Sequence, residues 1–212
     1  IQEDKHGNLW LAIYKGGLCK YNVADSTFTY FNHHEDNPDC IVSDVVNNIL
    51  IDNDGLVWIA TEHGLSVLNP EKRQCRNYKF DPNNEHSLSD DVLSAVYQDS
   101  KGDIWVSSWH GGINKYRKET DDFQRFVHDE NDPSLLPHGV IRYMFEDREG
   151  NFWLASFGGG LILFDEENGK HKVFKHDDMV PYSVGHNIIW SIYQDRSGIL
   201  WVGTFGRGLS LY

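Results

Sequence analysis

Gln194-Asp195-Arg196-Ser197-Gly198-Ile199-Leu200-Trp201-Val202-Gly203-Thr204-Phe205-Gly206-Arg207-Gly208-Leu209 is one bend followed by one strand, a turn and the start of a second strand. Asp-x-x-Gly supplies the bend. The Asp side chain accepts backbone N–H groups at the start of the turn, and the Gly provides the positive φ that a type I turn plus bulge demands. Leu200-Trp201-Val202 is rich in strand formers. Working outward, the same arrangement returns at Trp10, Trp58, Trp105 and Trp153, with spacings of 48, 47, 48 and 48 residues. An Asp stands six residues before each Trp (Asp4, Asp52, Asp99, Asp147, Asp195) and a Gly three before it (Gly7, Gly55, Gly102, Gly150, Gly198). Gly-Leu or Gly-Ile follows each one: Gly17-Leu18, Gly64-Leu65, Gly112-Ile113, Gly160-Leu161, Gly208-Leu209. Such recurrence at four positions defines an internal repeat.

Each unit reads as four strands. An apolar inner strand (Val45 to Ile49, Val92 to Val96, Val140 to Met144, Ile188 to Ile192) precedes the Trp strand. A third strand ends in Tyr21, Leu68, Tyr116, Phe164 or Tyr212, and an outer strand carries pairs such as Phe28 and Phe31 or Phe123 and Phe126. Polar loops of Asp, Asn, His and Pro join the units. One four-stranded sheet cannot bury both faces, whereas sheets stacked around an axis can. The expected fold is therefore all-β: a single β-propeller domain over 1–212, with four complete four-stranded blades and a partial fifth. Each Trp is expected between neighbouring blades. The chain opens inside an inner strand, at Ile1 and not a Met, and stops before an outer strand. The reading is an excised segment of a larger array, for example a seven-bladed one, with an imperfect five-bladed ring as the alternative.

The chain has 212 residues, 40% hydrophobic, including 11 Phe, 10 Tyr and 7 Trp, which is ample for a core. Its formal charge of −13 disfavours phosphate backbones and anionic membranes. It contains no run of 18 apolar residues, so direct membrane insertion by this segment is not expected. Cys19, Cys40 and Cys75 match no metal template, and Cys19 is expected to act as a small hydrophobe.

Gln194 to Leu209 resembles the two-component regulator propeller repeat almost throughout, in the order apolar strand, Asp-x-x-Gly-x-Leu-Trp, Val-Gly-Thr, aromatic, Gly-Leu. Trp58-Ile59-Ala60-Thr61 and Trp153-Leu154-Ala155-Ser156 are looser copies. The resemblance covers essentially the whole chain. It implies the periplasmic sensor of a membrane-bound histidine kinase, often a hybrid two-component protein. In such proteins two seven-bladed propellers typically precede a small β-sandwich, a membrane helix and the kinase. It further implies an oligosaccharide or other small ligand released from glycans, and a homodimer formed through the parent sensor.

Shared residues are structural, so function is sought where the copies differ. Five residues before each Asp stand Asn47, Ser94, Arg142 and Trp190, followed by Asn48, Ala95, Tyr143 and Ser191. Inner strands line the channel. Arg142 offers a fork to a carboxylate or sulfate, and Tyr143 and Trp190 offer faces to a sugar ring. Channel filling is the plain alternative. In the turn after each Trp strand, Trp109, His110 and Arg207 depart most from their counterparts, with a solvated loop as the alternative. His residues lie in loops without HxH or HExxH spacing, and His138 and His186 occupy equivalent turn positions. Asp52-Asn53-Asp54-Gly55 resembles a calcium loop but lacks its later Glu. No metal or cofactor is expected. Glu146, Asp147 and Glu149 are neighbours, but Asp147 is the bend residue of its unit, and no catalytic residue is assigned. A polysaccharide-acting glycosidase or lyase and a protein-binding scaffold are the competing classes.

Overall fold

The bends and strands form as the repeat requires. In the computed structural model, which describes residues 1–37, 40–129, 131–132, 135–168 and 170–212, all regular structure is strand. Parts of the polar connecting loops, at 38–39, 130 and 133–134, and position 169 lie outside the described residues. The first sheet is β1 (Gln2–Glu3), β2 (Leu9–Ile13), β3 (Gly17–Asn22) and β4 (Thr27–Phe31). The second is β5 (Val46–Ile51), β6 (Val57–Thr61), β7 (Gly64–Asn69) and β8 (Gln74–Tyr78). The third is β9 (Leu93–Gln98), β10 (Ile104–Ser108), β11 (Ile113–Arg117) and β12 (Asp122–Phe126). The fourth is β13 (Ile141–Glu146), β14 (Phe152–Ser156), β15 (Leu161–Asp165) and β16 (Lys170–Phe174). The fifth holds three strands, β17 (Ile189–Gln194), β18 (Leu200–Thr204) and β19 (Gly208–Leu211). Within every sheet consecutive strands pair antiparallel, so these are four blades and a partial fifth of a propeller.

Each sheet packs on the next through its Trp. Trp10 is buried with Ile49, Ile59 and Leu68 of the second sheet, Trp58 with Leu93 and Val106 of the third, Trp105 with Met144 and Leu154 of the fourth, and Trp153 with Ile192 and Val202 of the fifth. The Asp six residues earlier has a second role that the bend alone does not reveal. One carboxylate oxygen takes backbone N–H groups of the bend, such as Glu149 and Asn151 on Asp147. The other accepts the indole N–H, at 3.1 Å from Trp10, 2.7 Å from Trp58, 2.8 Å from Trp105, 2.7 Å from Trp153 and 2.8 Å from Trp201. A buried indole needs a partner for its N–H, and the fixed six-residue spacing supplies one. The Asp52 carboxylate of the calcium-like loop is committed in the same way, to Asp54, Leu56 and Trp58.

Side chains also stitch the sheets across the repeat. Gln98 accepts the N–H of Asn53, Glu146 that of Ser100, and Gln194 that of Arg148, each reaching the bend of the preceding sheet. Cys19 is buried in β3, where burial pushes its thiol pKa up.

Candidate functional site at the axial mouth

The inner strands pair imperfectly with their neighbours, always at the same place. The register slips between Val46 and Asn48, between Ile141 and Tyr143, between Ile189 and Ser191, and at the matching point opposite Ser107/Ser108. The residues left over are Asn47, Ser94, Arg142 and Trp190, the positions singled out by comparing the repeats. A bulge re-aims the side chain it carries, which gives this one position a direction unlike the rest of the strand. In the second and third sheets the bulge side chain is structural. Asn47 donates to the carbonyl of Leu93 (2.8 Å), and the Ser94 hydroxyl donates to the carbonyl of Ile141 (2.5 Å), each tying an inner strand to the next.

In the fourth and fifth sheets that stitch is replaced by an aromatic assembly. The Arg142 guanidinium lies 4.8 Å from the ring centroid of Trp109 and 4.3 Å from that of Trp190, both within cation–π range. Trp109, Phe157 and Phe205 hold equivalent positions in the turns after β10, β14 and β18. Their placement is fixed by backbone bonds from their own N–H to the carbonyls of Val92, Val140 and Ile188, at the entry to the inner strand. Trp109 contacts Phe157 (5.8 Å between centroids), Phe157 contacts Trp190 (6.3 Å), and Trp190 contacts Phe205 (6.3 Å). The result is a continuous aromatic rim across three sheets, with one cation set into it. Trp190 is 41% exposed. Arg142 is half-buried, and burial draws its pKa below the usual guanidinium value. Among the described residues no hydrogen bond or ion pair is seen for it.

The other predicted site residues separate from this group. Tyr143 pairs with Ala155 and packs in the core between the fourth and fifth sheets, where burial raises its phenol pKa. His110 lies beside Trp109 in sequence but is held by Asp90, through its backbone N–H and ring nitrogen, both at 3.0 Å. Arg207 approaches His176 (3.3 Å) and Asp178 (3.5 Å) on exposed loops. His138 and His186 take the turn role expected of them: each ring Nδ1 accepts an N–H two residues on, from Val140 and Ile188. Asp90 and Ser43 do the same in earlier units. Sequence comparison found the rim residues one at a time but missed Phe157 and Phe205, because an aromatic is the common choice at that position.

A cleft of about 1010 Å³ opens elsewhere, between the second and third sheets at the bend end, lined by Trp58, Tyr116, Lys72 and Lys101. Most of its charges pair locally, as in Lys118–Asp54 and Lys115–Asp103. Smaller clefts recur between the first and second sheets and between the third and fourth. Each is the wedge left where radially stacked sheets diverge.

Comparison with known proteins agrees with this architecture. Residues 41–63, 87–110, 135–158 and 183–206 match the family described as two component regulator propeller. No curated protein matches the chain in sequence. Among solved structures, the chain is similar over 100% of its length to the extracellular domain assigned to the hybrid two component system BT3049 of B. thetaiotaomicron (TM-score 0.84, 24% identity). It is similar over 96% to the corresponding domain of BT4673 (TM-score 0.78, 20% identity). The chain spans 28% and 25% of those two structures. Virginiamycin B lyase from Staphylococcus aureus shares the fold over 100% of this chain and 68% of its own (TM-score 0.68, 15% identity). At these identities the likeness is one of fold.

Proposed function

We propose, from the premise that this chain belongs to the two-component regulator propeller family, that it is a ligand-sensing propeller from the extracytoplasmic part of a hybrid two-component sensor. Its ligand in this reading is an oligosaccharide derived from a glycan, received in the periplasm at the mouth formed by Trp109, Arg142, Phe157, Trp190 and Phe205. The observation that carries the reading is the aromatic rim around a cation that pairs with no anion among the described residues. Indole and phenyl faces meet the apolar C–H faces of sugar rings, and a mouth built on rigid strands holds them at fixed separations. Fold by itself does not assign a function; these side chains support this one.

The segment performs no bond chemistry in this proposal. Occupancy shifts the conformational balance of a homodimer formed by the parent protein, and a kinase across the membrane reads that shift. The test is a thermal-shift screen of the chain against a panel of glycan-derived oligosaccharides. A binding sugar is expected to raise the melting temperature in a concentration-dependent manner, and Trp190→Ala is expected to abolish the rise. Stabilisation that survives Trp190→Ala unchanged would move the site elsewhere. Product release from a polysaccharide would replace the sensor with an enzyme.

A further inference from the structure

We infer that Arg142 reads a carboxylate on the ligand, so that the rim selects an acidic sugar over a neutral one; this rests on the axial mouth being the sensor's binding site. The first support is a comparison within the molecule. Asn47 and Ser94, at the same bulge, spend their polar atoms on the carbonyl of the following inner strand. Arg142 does not: the equivalent carbonyl belongs to Ile189, and the guanidinium lies over indoles instead. The position has been released from stitching in the one sheet where it carries a charge.

The second support is the state of that charge. Withdrawing a cation from water costs free energy unless it gains a partner, and elsewhere in this acidic chain paired cations are common. Arg117 holds Asp122 through two bonds, Lys115 holds Asp103 and Glu166, and Arg125 is satisfied by Ser87 and the Asn84 carbonyl. Among the described residues Arg142 has two aromatic contacts and no hydrogen-bond or ion-pair partner. A ring is not an oxygen acceptor, so these contacts leave the two-pronged N–H fork of the guanidinium available for one. A planar two-oxygen acceptor meets that fork with two parallel bonds. A carboxylate can do so while the ring that bears it lies against Trp190 or Phe157. A tetrahedral sulfate offers no planar pair of oxygens and carries further charged oxygens that would have to be desolvated among the apolar rings.

The experiment titrates the chain with galacturonate and glucuronate mono-, di- and trisaccharides. The matched methyl esters, the neutral galactose and glucose oligomers, and a sulfated galactose oligomer run in parallel, followed by tryptophan fluorescence and calorimetry. A uronate is expected to bind at least about tenfold more tightly than its ester or neutral counterpart, the scale of a charge-assisted hydrogen bond. Arg142→Gln is expected to erase that preference, and Arg142→Lys to retain part of it through charge without the fork. Melting curves of both variants show whether the fold is kept, and the preference of the unaltered chain is read without either. Equal affinity for acid and ester, preference for the sulfate ester, an undiminished preference in Arg142→Gln, or no saturable response to any uronate would each overturn the carboxylate assignment. A neutral oligosaccharide that binds the unaltered chain at least as tightly as every uronate, and does not bind Trp190→Ala, overturns it while leaving the sensor reading in place. Binding of every sugar that is indifferent to Trp190→Ala removes both.

Discussion

The Asp–Trp pair sets stability at the scale of single residues, and its chemistry makes that stability depend on pH. Burial of Asp147 favours its neutral form, but the bonds from Trp153, Asn151 and Glu149 outweigh this and hold its carboxyl below the usual range. At the exposed bend of the fifth sheet, bonds from Ser197 and Trp201 bring Asp195 to about 2. Asp4 is lowered in the same sense: burial opposes the shift, and bonds from Asn8 and Trp10 overcome it. A carboxyl whose pKa is lower folded than unfolded contributes stability that is complete above the unfolded value, about 3.9, and is lost as pH falls toward the folded one. Urea unfolding is therefore expected to show the full contribution of these three groups, with little change, between pH 5 and 7, and a decline from about pH 4 to about pH 2. Asp147→Ala leaves the Trp153 N–H and two bend N–H groups without their acceptor. It should cost about 2–3 kcal/mol at pH 7 and flatten part of the acid decline. A variant as stable as the parent, or an unchanged acid limb, would show the clamp to be passive.

At the scale of elements, the repeated glycine before each third strand joins sheet to sheet. Gly160 adopts φ +86°, its N–H donates to Asn187 on the way to the next inner strand (2.9 Å), and an added Cβ would press on the backbone carbonyl of Phe174 in β16. Gly208 stands at the same place in the fifth sheet with φ +72° and open space around it. Gly160→Ala combines backbone strain with a clash that backbone cannot relieve and should cost at least about 2 kcal/mol, while Gly208→Ala carries the strain alone, about 1 kcal/mol. Equal losses in denaturant titrations would show that crowding is irrelevant. Strand order, bends and buried Trp residues were legible in the sequence because each has a local signature: alternation, Asp-x-x-Gly, a large ring at constant spacing. The inner-strand bulges were not, since one unpaired residue leaves no mark until the partner strand is known. The Asp–indole bond was legible in principle from its invariant six-residue spacing. The grouping of Arg142 with Trp109 and Trp190 was not, because those residues lie 33 and 48 positions away and meet only once the sheets are stacked. Tyr143, adjacent to Arg142, was drawn into the same expectation, yet strand alternation turns it into the core.

Across the whole molecule, quasi-equivalent positions show which apolar surfaces are left uncovered. Leu18, Leu65, Ile113 and Leu161 follow the repeated glycine and are 0% exposed, whereas Leu209 at that position is 64% exposed. Trp201 is likewise only partly covered while its four counterparts are buried, and Leu211 and Tyr212 extend the open face. At the other end of the stack, Phe28 is exposed although Phe123, at the matching point of β12, is buried against the second sheet. Both terminal faces thus have the composition of sheet–sheet interfaces. In a stacked array stability is approximately a sum of unit and nearest-neighbour terms, so covering one such face adds an interface term without disturbing the others. Fusing a second copy of residues 165–212 after Tyr212, in the register that carries Phe164 onto Tyr212, would give the fifth sheet an outer strand and set a sixth against Trp201 and Leu209. Full burial of a Leu side chain is worth about 1.5–3 kcal/mol, so even partial covering should raise the melting temperature by on the order of 5 °C for a chain of this size. Slower hydrogen exchange should appear in β18 and β19, with Trp201 emission shifted to shorter wavelength. A fusion that melts where the parent melts, with β19 exchanging as before, would mean that the exposed face is not built to receive another unit of the repeat.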